Sequence, residues 1–455
     1  MSEPRNSSKS DAAPPNPGAV MDVQEANAKY LLPAEQQVPK GYKQTEVGVI
    51  PEDWELASIE DVAQITTGSK NTQDKIEDGE YPFFVRSQTV EHINSYSYDG
   101  EAVLTAGDGV GTGKVFHYIR GKFDAHQRVY RISEFSSRLN GYFFYLYFSN
   151  HFYNRIMQMT AKSSVDSVRR EMIAKMLIPL PPTKAEQEAI AEALSDADAL
   201  IEALEQLVAK KRQLKQGAMQ ELLTGKRRLP GFETKLGVKI TEIGTIPIDW
   251  EYLQIADFID LLTGFPFPSS KYSMSGIRLL RGSNVKRGIT DWSDDGTAYW
   301  PSATSELKKY LLKSGDIVIA MDGSLVGRSF AMLSDCDLPA LLLQRVARIR
   351  PAVIDQKYLK EWICSPRFTD HCDAVKTVTA IPHISPADIR SFQITIPPTK
   401  AEQIAIAQIL TDMDAEITVL DTKLTKARAV KQGMMQQLLT GKIRLVVNPK
   451  PIIDN

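Results

Sequence analysis

The sequence predicts an α+β fold: two mixed α/β domains in pseudo-twofold arrangement, separated by two long antiparallel coiled-coil helices. Three observations carry that prediction. Residues 181–230 and 397–446 are copies of each other, identical at 30 of 50 positions at a constant offset of 216. A shorter block, KQTEVGVIPEDWE from Lys43 and KITEIGTIPIDWE from Lys239, precedes each copy at an offset of 196 and runs on to a shared Thr-Gly. Between the blocks the two halves diverge but keep landmarks in the same order. Internal repetition of this kind sets the architecture before any single element is read.

In chain order, residues 1–42 form an N-terminal extension, with a Ser-, Pro- and Asn-rich stretch over 1–20 expected to be disordered and a short helix possible over 22–32. The first domain spans 43–180 and the second 239–396. Runs such as Tyr81 to Val85, Lys114 to Ile119, Val129 to Ile132 and Asp316 to Ala320 read as strands, being β-branched or aromatic and bounded by Gly, Asp and Ser. Tyr142 to Met159 and Gln356 to Ser365 read as helices. Each repeated segment, 181–231 and 397–446, opens with Thr and, three residues on, Glu (Thr183 and Glu186; Thr399 and Glu402), a capping-box pattern. Gly225 and Gly441 stand where a helix should stop. Ile190, Leu194, Ile201 and Leu204 in the first copy, and Ile406, Leu410, Ile417, Leu420 and Leu424 in the second, follow a heptad seam, which the first copy is expected to continue through Lys211 and Leu214. About 40 helical residues span roughly 60 Å, and a seam that long wants a partner, the other copy being the obvious one. Residues 447–455 are a tail.

Composition narrows the function. The 455 residues carry 54 Lys+Arg against 56 Asp+Glu, a net charge of −2, which excludes a non-specific polyanion coat but not a local DNA-reading surface. No apolar run reaches membrane-spanning length and the N-terminus lacks a signal peptide's apolar core. The three cysteines, Cys336, Cys364 and Cys372, form no disulfide framework, and a cytoplasmic location is expected. Duplicate domains that keep their frame and change their surface read different things, and a pair held a fixed distance apart suits a duplex whose grooves recur every 34–36 Å. The residues themselves therefore point to a bipartite DNA reader.

The paired stretches PPTKAEQEAIAEALSDADALI and PPTKAEQIAIAQILTDMDAEI, the KQGxMQxLLTGKxRL endings and the IPxDWE openings resemble the specificity (S) subunit of type I restriction-modification enzymes, from about Lys43 to Leu445. The resemblance implies two target-recognition domains, each reading one half of an interrupted asymmetric site in double-stranded DNA. It implies repeated helices that set the spacing and dock two methylation (M) subunits. It places S-adenosylmethionine in those partners, and ATP and Mg2+ in the cofactor set of the partner subunits, with restriction/motor (R) subunits joining for cleavage. It gives the chain itself no catalytic site, no cofactor and no metal. The N-terminal extension departs from the pattern.

Candidate catalytic motifs are weak. Asp108-Gly-Val-Gly-Thr-Gly-Lys114 lacks the first Gly and the final Ser or Thr of a phosphate loop, and its counterpart Asp322 to Arg328 has lost the Gly pattern too. No Asn-Pro-Pro-Tyr-like tetrapeptide marks an adenine methyltransferase. Cys364, His371 and Cys372 lack zinc-site spacing, and neither His126 nor His383 has a paired Ser/Asp motif.

Residues identical in both halves cannot by themselves distinguish unlike half-sites. Arg86 and Arg281, Gln127 and Gln344, Arg128 and Arg345, and the basic pair Lys114 and Arg328, are therefore expected to be scaffold or phosphate contacts. Base readout is expected from Lys70, Asn71, Ser87, Gln88 and Arg169 in the first domain, and Ser283, Asn284, Lys286, Arg287 and His383 in the second. The basic groups Lys210-Lys-Arg212, Lys215 and Lys226-Arg-Arg228 serve either spacer phosphates or the helix dipole. Two rival functions remain: a fused methyltransferase or nuclease, and a scaffold or decoy that binds methylation subunits without selective DNA reading.

Overall fold

The computed structural model describes residues 38–159, 167–233, 235–293 and 297–445. The tail and nearly all of the N-terminal extension, including the 1–20 and 22–32 expectations, lie outside the described residues. The chain forms two compact units, one of residues up to 191 together with those from 436 onward, the other of residues 192–435.

The first unit contains strands β1 (Tyr42–Thr45), β2 (Gly48–Pro51) and β3 (Glu55–Ser58), the short helix α1 (Ile59–Val62), then β4 (Gln64–Thr67), β5 (Tyr81–Phe84), β6 (Glu91–Ile93), β7 (Tyr98–Ala106), β8 (Phe116–Ala125) and β9 (Val129–Ser133). Helices α2 (Gly141–Met159) and α3 (Arg170–Ala174), strand β10 (Leu177–Leu180) and the start of α4 (Lys184–Leu223) follow. The main sheet has six strands in the order β4-β9-β7-β8-β5-β6, antiparallel except for the β5–β8 pair. The aromatic residues of α2 supply much of the core: Phe143, Phe144, Phe148 and Phe152 are fully buried. Phe116 of β8 meets Phe148 edge-on with ring centroids 5.4 Å apart.

The second unit repeats this plan with β11 (Val238–Thr241), β12 (Gly244–Pro247), β13 (Glu251–Gln254), β14 (Ile259–Thr263), β15 (Ile277–Leu280), β16 (Ala298–Trp300), β17 (Ile317–Ala320), β18 (Phe330–Met332), β19 (Ala340–Leu342) and β20 (Val346–Pro351). Helices α5 (Gln356–Ile363), α6 (Pro366–Val375) and α7 (Pro386–Arg390), strand β21 (Gln393–Ile396) and α8 (Lys400–Leu438) complete it. Its sheet is split in two, ordered β14-β20-β17-β18 and β16-β15-β19. The expected strands and helices appear at their sequence positions, with β8 running six residues past Ile119; α1, α3 and α7, of four or five residues, are too short for periodicity to mark, and the ten-residue α6 was not foreseen either.

The two repeated helices show what the duplication maintains. Thr183 and Thr399 cap as expected, each accepting the backbone N–H three residues on at 3.2 Å. The carboxylates of Glu186 and Glu402 do not complete a capping box. They accept instead from arginines at the far ends of the repeats. In the first unit Arg444 grips Glu186 and, at 2.9 Å, Asp53. In the second, Arg228 donates to Glu402 at 2.9 Å and to Asp249 at 2.9 Å. The arginines, glutamates and aspartates of the two clamps are counterparts in the sequence repeats. Each guanidinium also lies over the buried Trp of the IPxDWE block, Arg444 at 5.8 Å from the Trp54 ring and Arg228 at 5.9 Å from that of Trp250. Gly225 and Gly441 both take φ +68 at the helix ends. A Cβ there would sit 2.5 Å from Pro247 Cδ and 2.6 Å from Pro51 Cδ respectively, so the Gly belongs to the clamp as well.

Within the second unit α4 and α8 run antiparallel, joined by a ladder of ion pairs. Lys431 meets Asp198 at 2.5 Å, Arg428 meets Glu205 at 2.6 Å, Arg212 meets Asp421 at 2.8 Å and Lys215 meets Asp414 at 2.5 Å. In each helix the contributing acids precede the contributing bases, Asp198 and Glu205 before Arg212 and Lys215 in α4, Asp414 and Asp421 before Arg428 and Lys431 in α8. A parallel pairing would oppose like charges, so the sequence selects against it. Of the basic groups, Lys211, Arg212 and Lys215 pair with acidic side chains of α8 and Arg227 with Glu221, while Arg228 is buried in the clamp and is not available to a spacer phosphate. The named seam positions are all buried or half-buried, but Leu214 is 52% exposed. Lys215 takes that turn, as strict 4-3 spacing from Lys211 requires, with its ammonium also 3.3 Å from the buried Glu361.

Candidate nucleic-acid interface

In each domain five loop segments meet beside the sheet, and the landmark residues of the sequence lie on them. The shared Thr-Gly brings the first two together. A Cβ on Gly68 would lie 2.0 Å from the Ala125 carbonyl oxygen, and one on Gly264 2.0 Å from that of Leu343, so only Gly lets the backbones pass. That contact sets the Gln-Arg turn: Gln127 N donates to the Lys70 carbonyl at 2.9 Å, and Gln344 N to that of Phe265 at 3.0 Å.

In the first domain His126 fastens the turn from below. It is 5% exposed, and its Nδ1 accepts the Arg128 N–H at 3.0 Å. Burial, reinforced by the Arg86 charge, pushes its pKa down. The ring is thus neutral and structural. Gln127 and Arg128 are exposed above it. Asp108 is the hub of the cluster, accepting from Arg86 Nη1 at 2.8 Å and lying 3.7 Å from Arg128 Nε. Asp108 and its counterpart Asp322 were legible as landmarks, yet an acid between retained arginines was not read as their organiser. Lys70, 3.9 Å from the buried Asp124, and Asn71, which accepts from Gln127 Nε2 at 2.7 Å, border the same turn. The Ser87 hydroxyl is turned into its own loop, donating to the Thr89 carbonyl at 3.0 Å, while Gln88 beside it is exposed. Asp108 bridges to Ser167, which brings the exposed Arg169 alongside. Lys114 is exposed with its ammonium 5.6 Å from the Tyr153 ring.

The second domain assembles the same way with other side chains. Met321 N donates to the Arg345 carbonyl at 2.9 Å, as Gly107 N does to that of Arg128 at 2.8 Å. Asp322 bridges to His383, whose Nδ1 is 2.9 Å from the Thr377 hydroxyl. Ser283, Lys286 and Arg287 are exposed, Lys286 lying 3.9 Å from Asp291. Arg281 is half-buried, and its backbone N–H donates to Asn284 Oδ1 at 3.1 Å. Gln344 and Arg345 are exposed. Arg345 holds φ +70, a left-handed conformation costly for a non-Gly side chain. One expectation changes here. Asn284 is 3% exposed, with its amide nitrogen donating to the Asp291 carbonyl at 2.9 Å, so it shapes the loop rather than facing a base. Arg328 is held by Asp373 through two bonds, of 3.1 and 2.6 Å, and braces the loop against α6.

The glycine-rich loop closes on its own backbone. The N–H groups of Thr112, Lys114 and Val115 donate to the carbonyls of Gly109, Gly111 and Gly111, and Val326, Arg328 and Ser329 repeat the pattern. Among the described residues no group of three or more His, Cys, Asp or Glu could hold a metal ion. Burial pushes the Cys364 and Cys372 thiols up to about 12, and His371 Nε2 lies 2.8 Å from the Asp388 carbonyl.

The family model of the type I restriction modification DNA specificity domain matches residues 51–216 and 247–427, once over each half. The chain belongs to this family. It is a type I restriction-modification specificity subunit. It is 28% identical over 415 residues to the MjaVIII specificity subunit of Methanocaldococcus jannaschii, covering 87% of this chain and 94% of that one. To the EcoDI specificity subunit of Escherichia coli it is 23% identical, covering 87% and 89%. In fold it is similar to the S subunit of the type I restriction-modification system from M. genitalium, with a TM-score of 0.58 at 14% identity, over 85% of this chain and 96% of that one. Among the described residues no helix of the subunit is long and apolar enough to cross a membrane.

Proposed function

We propose that this subunit supplies sequence specificity to a type I restriction-modification complex, each recognition domain reading one half of a bipartite asymmetric site in double-stranded DNA. The α4–α8 pair sets the spacing between the half-sites and docks two methylation subunits. Catalysis resides in those partners and in the restriction subunits, which carry S-adenosylmethionine, ATP and Mg2+; the chain has no catalytic site of its own. The observation that carries the reading is the pairing of like frame with unlike surface. Both domains bring an Arg loop, an Asp-bearing loop and a Gln-Arg turn together by the same backbone bonds, while the exposed residues around them differ. A shared frame fixes register on the backbone, and variable side chains beside it discriminate bases.

The test is to map adenine methylation in a host expressing the methylation subunit with and without this chain. A new motif of two short unlike halves around a fixed gap, present only with the chain, is expected. Assembly of the complex without any such motif would replace the reading with that of a scaffold or decoy.

A further inference from the structure

The shared glutamine of the turn has a different neighbour in each domain. Gln127 Nε2 donates to Asn71 Oδ1 at 2.7 Å, with both residues exposed. In the second domain the turn is anchored by the same backbone bond, Gln344 N donating to Phe265 as Gln127 N does to Lys70, although Arg345 takes a left-handed φ that Arg128 does not. The residue that follows is Pro266 in place of Asn71, and a proline side chain has no acceptor to offer.

An amide nitrogen has two hydrogens. With one committed to Asn71 Oδ1, the Gln127 amide presents its oxygen and its remaining N–H in one order for as long as the Asn71 amide keeps its own orientation. That acceptor–donor edge complements the N6 amino group and N7 of adenine in the major groove, whereas guanine offers two acceptors there and would oppose the amide oxygen. We infer that Asn71 converts the shared Gln127 into an adenine reader in the half-site of the first domain, and that Gln344, lacking such a neighbour, does not fix a base in this way. This rests on the reading of the chain as a bipartite specificity subunit. It also amends the rule that residues common to both halves carry no discrimination: an identical side chain becomes specific when a non-identical neighbour fixes its orientation.

The experiment uses the full chain assembled with its methylation subunits, mapping methylated motifs for the wild type and for Asn71→Leu, Asn71→Asp, Gln127→Leu and Gln344→Leu. The wild type is expected to require an adenine in one half. Asn71→Leu and Gln127→Leu should both relax that position, with a loss of adenine preference of about 5- to 150-fold. Asn71→Asp keeps an acceptor for Gln127 Nε2 and should keep the adenine while weakening binding through its charge. Gln344→Leu should leave that half unchanged. If a leucine variant does not assemble, the alanine variant at the same position replaces it. Retention of the position in both truncations, relaxation at a base other than adenine, or relaxation of both halves overturns the inference and leaves the bipartite reading standing. Absence of any motif with the wild-type chain removes that reading, and this inference with it.

Discussion

The two Arg–Glu–Asp clamps and the two Gln-Arg turns are both products of the same duplication, and they have fared differently. Arg444 and Arg228 make the same bonds to counterpart residues. Gln127 and Gln344 are held by the same backbone bonds among different side chains. Where geometry must be equal in both copies, side chain and partner were kept together. Where the surface faces outward, the backbone was kept and the neighbours were released. The frame is therefore a property of the repeat, and discrimination a property of what differs around it.

The sharpest way to break the comparison is at the clamps. The Arg228 side chain is 7% exposed and Glu402 0%, whereas the Arg444 side chain is 35% exposed. Arg228→Ala strands buried carboxylates and should cost about 3–5 kcal/mol in thermal or denaturant unfolding of the second unit. Arg444→Ala, where Asp53 is 52% exposed and only Glu186 is buried, should cost less, about 1–2 kcal/mol. Equal losses would mean that burial does not separate the two copies. The glycines sharpen the point. Gly225→Ala meets both a left-handed backbone and Pro247, and should destabilise by about 1–2 kcal/mol or more. Gly217, inside α4 with open space around it, should gain about 0.5–1 kcal/mol as Ala.

Smaller effects belong to the ladder. Arg212 and Arg428 have side chains 60% and 58% exposed, so each Ala variant should lose less than about 1 kcal/mol, a loss that shrinks in high salt. The smallest effect is a pH dependence. Arg328, with Lys376, holds the Asp373 carboxyl well below the usual carboxylate range. A depressed carboxyl contributes stability that is fully present above its unfolded pKa, near 3.9, and is lost as pH falls through the folded value. Asp373→Asn should therefore flatten the acid limb of stability below about pH 4 and leave its slope near neutrality unchanged; an unaltered acid limb would refute the coupling.

Much of the fold was legible because the repeat supplied it. Helix starts, stops and partners followed from counterpart residues, and the antiparallel order from symmetry. The misreadings have different causes. Leu214 was chosen for the seam because it is apolar, although the heptad period and the counterpart Lys431 both indicate Lys215. The basic clusters were weighed against DNA phosphates because their acidic partners lie about 200 residues away in sequence, as Asp421 does from Arg212. Asn284 was taken as a base reader on residue type alone; its burial depends on a loop closure that local sequence does not encode. At the interface, sequence named the exposed Gln127, Arg128, Gln344 and Arg345, but not Asp108 as their organiser in the first domain, since that role exists only once three loops meet.

The central claim is that one frame carries two independent readers. Replacing residues 239–396 with the corresponding domain of another such subunit, and mapping the methylated motif of the assembled complex, tests it most directly. The account predicts that one half of the motif changes while the other half is retained. A swap that assembles yet alters both halves, or neither, would contradict it.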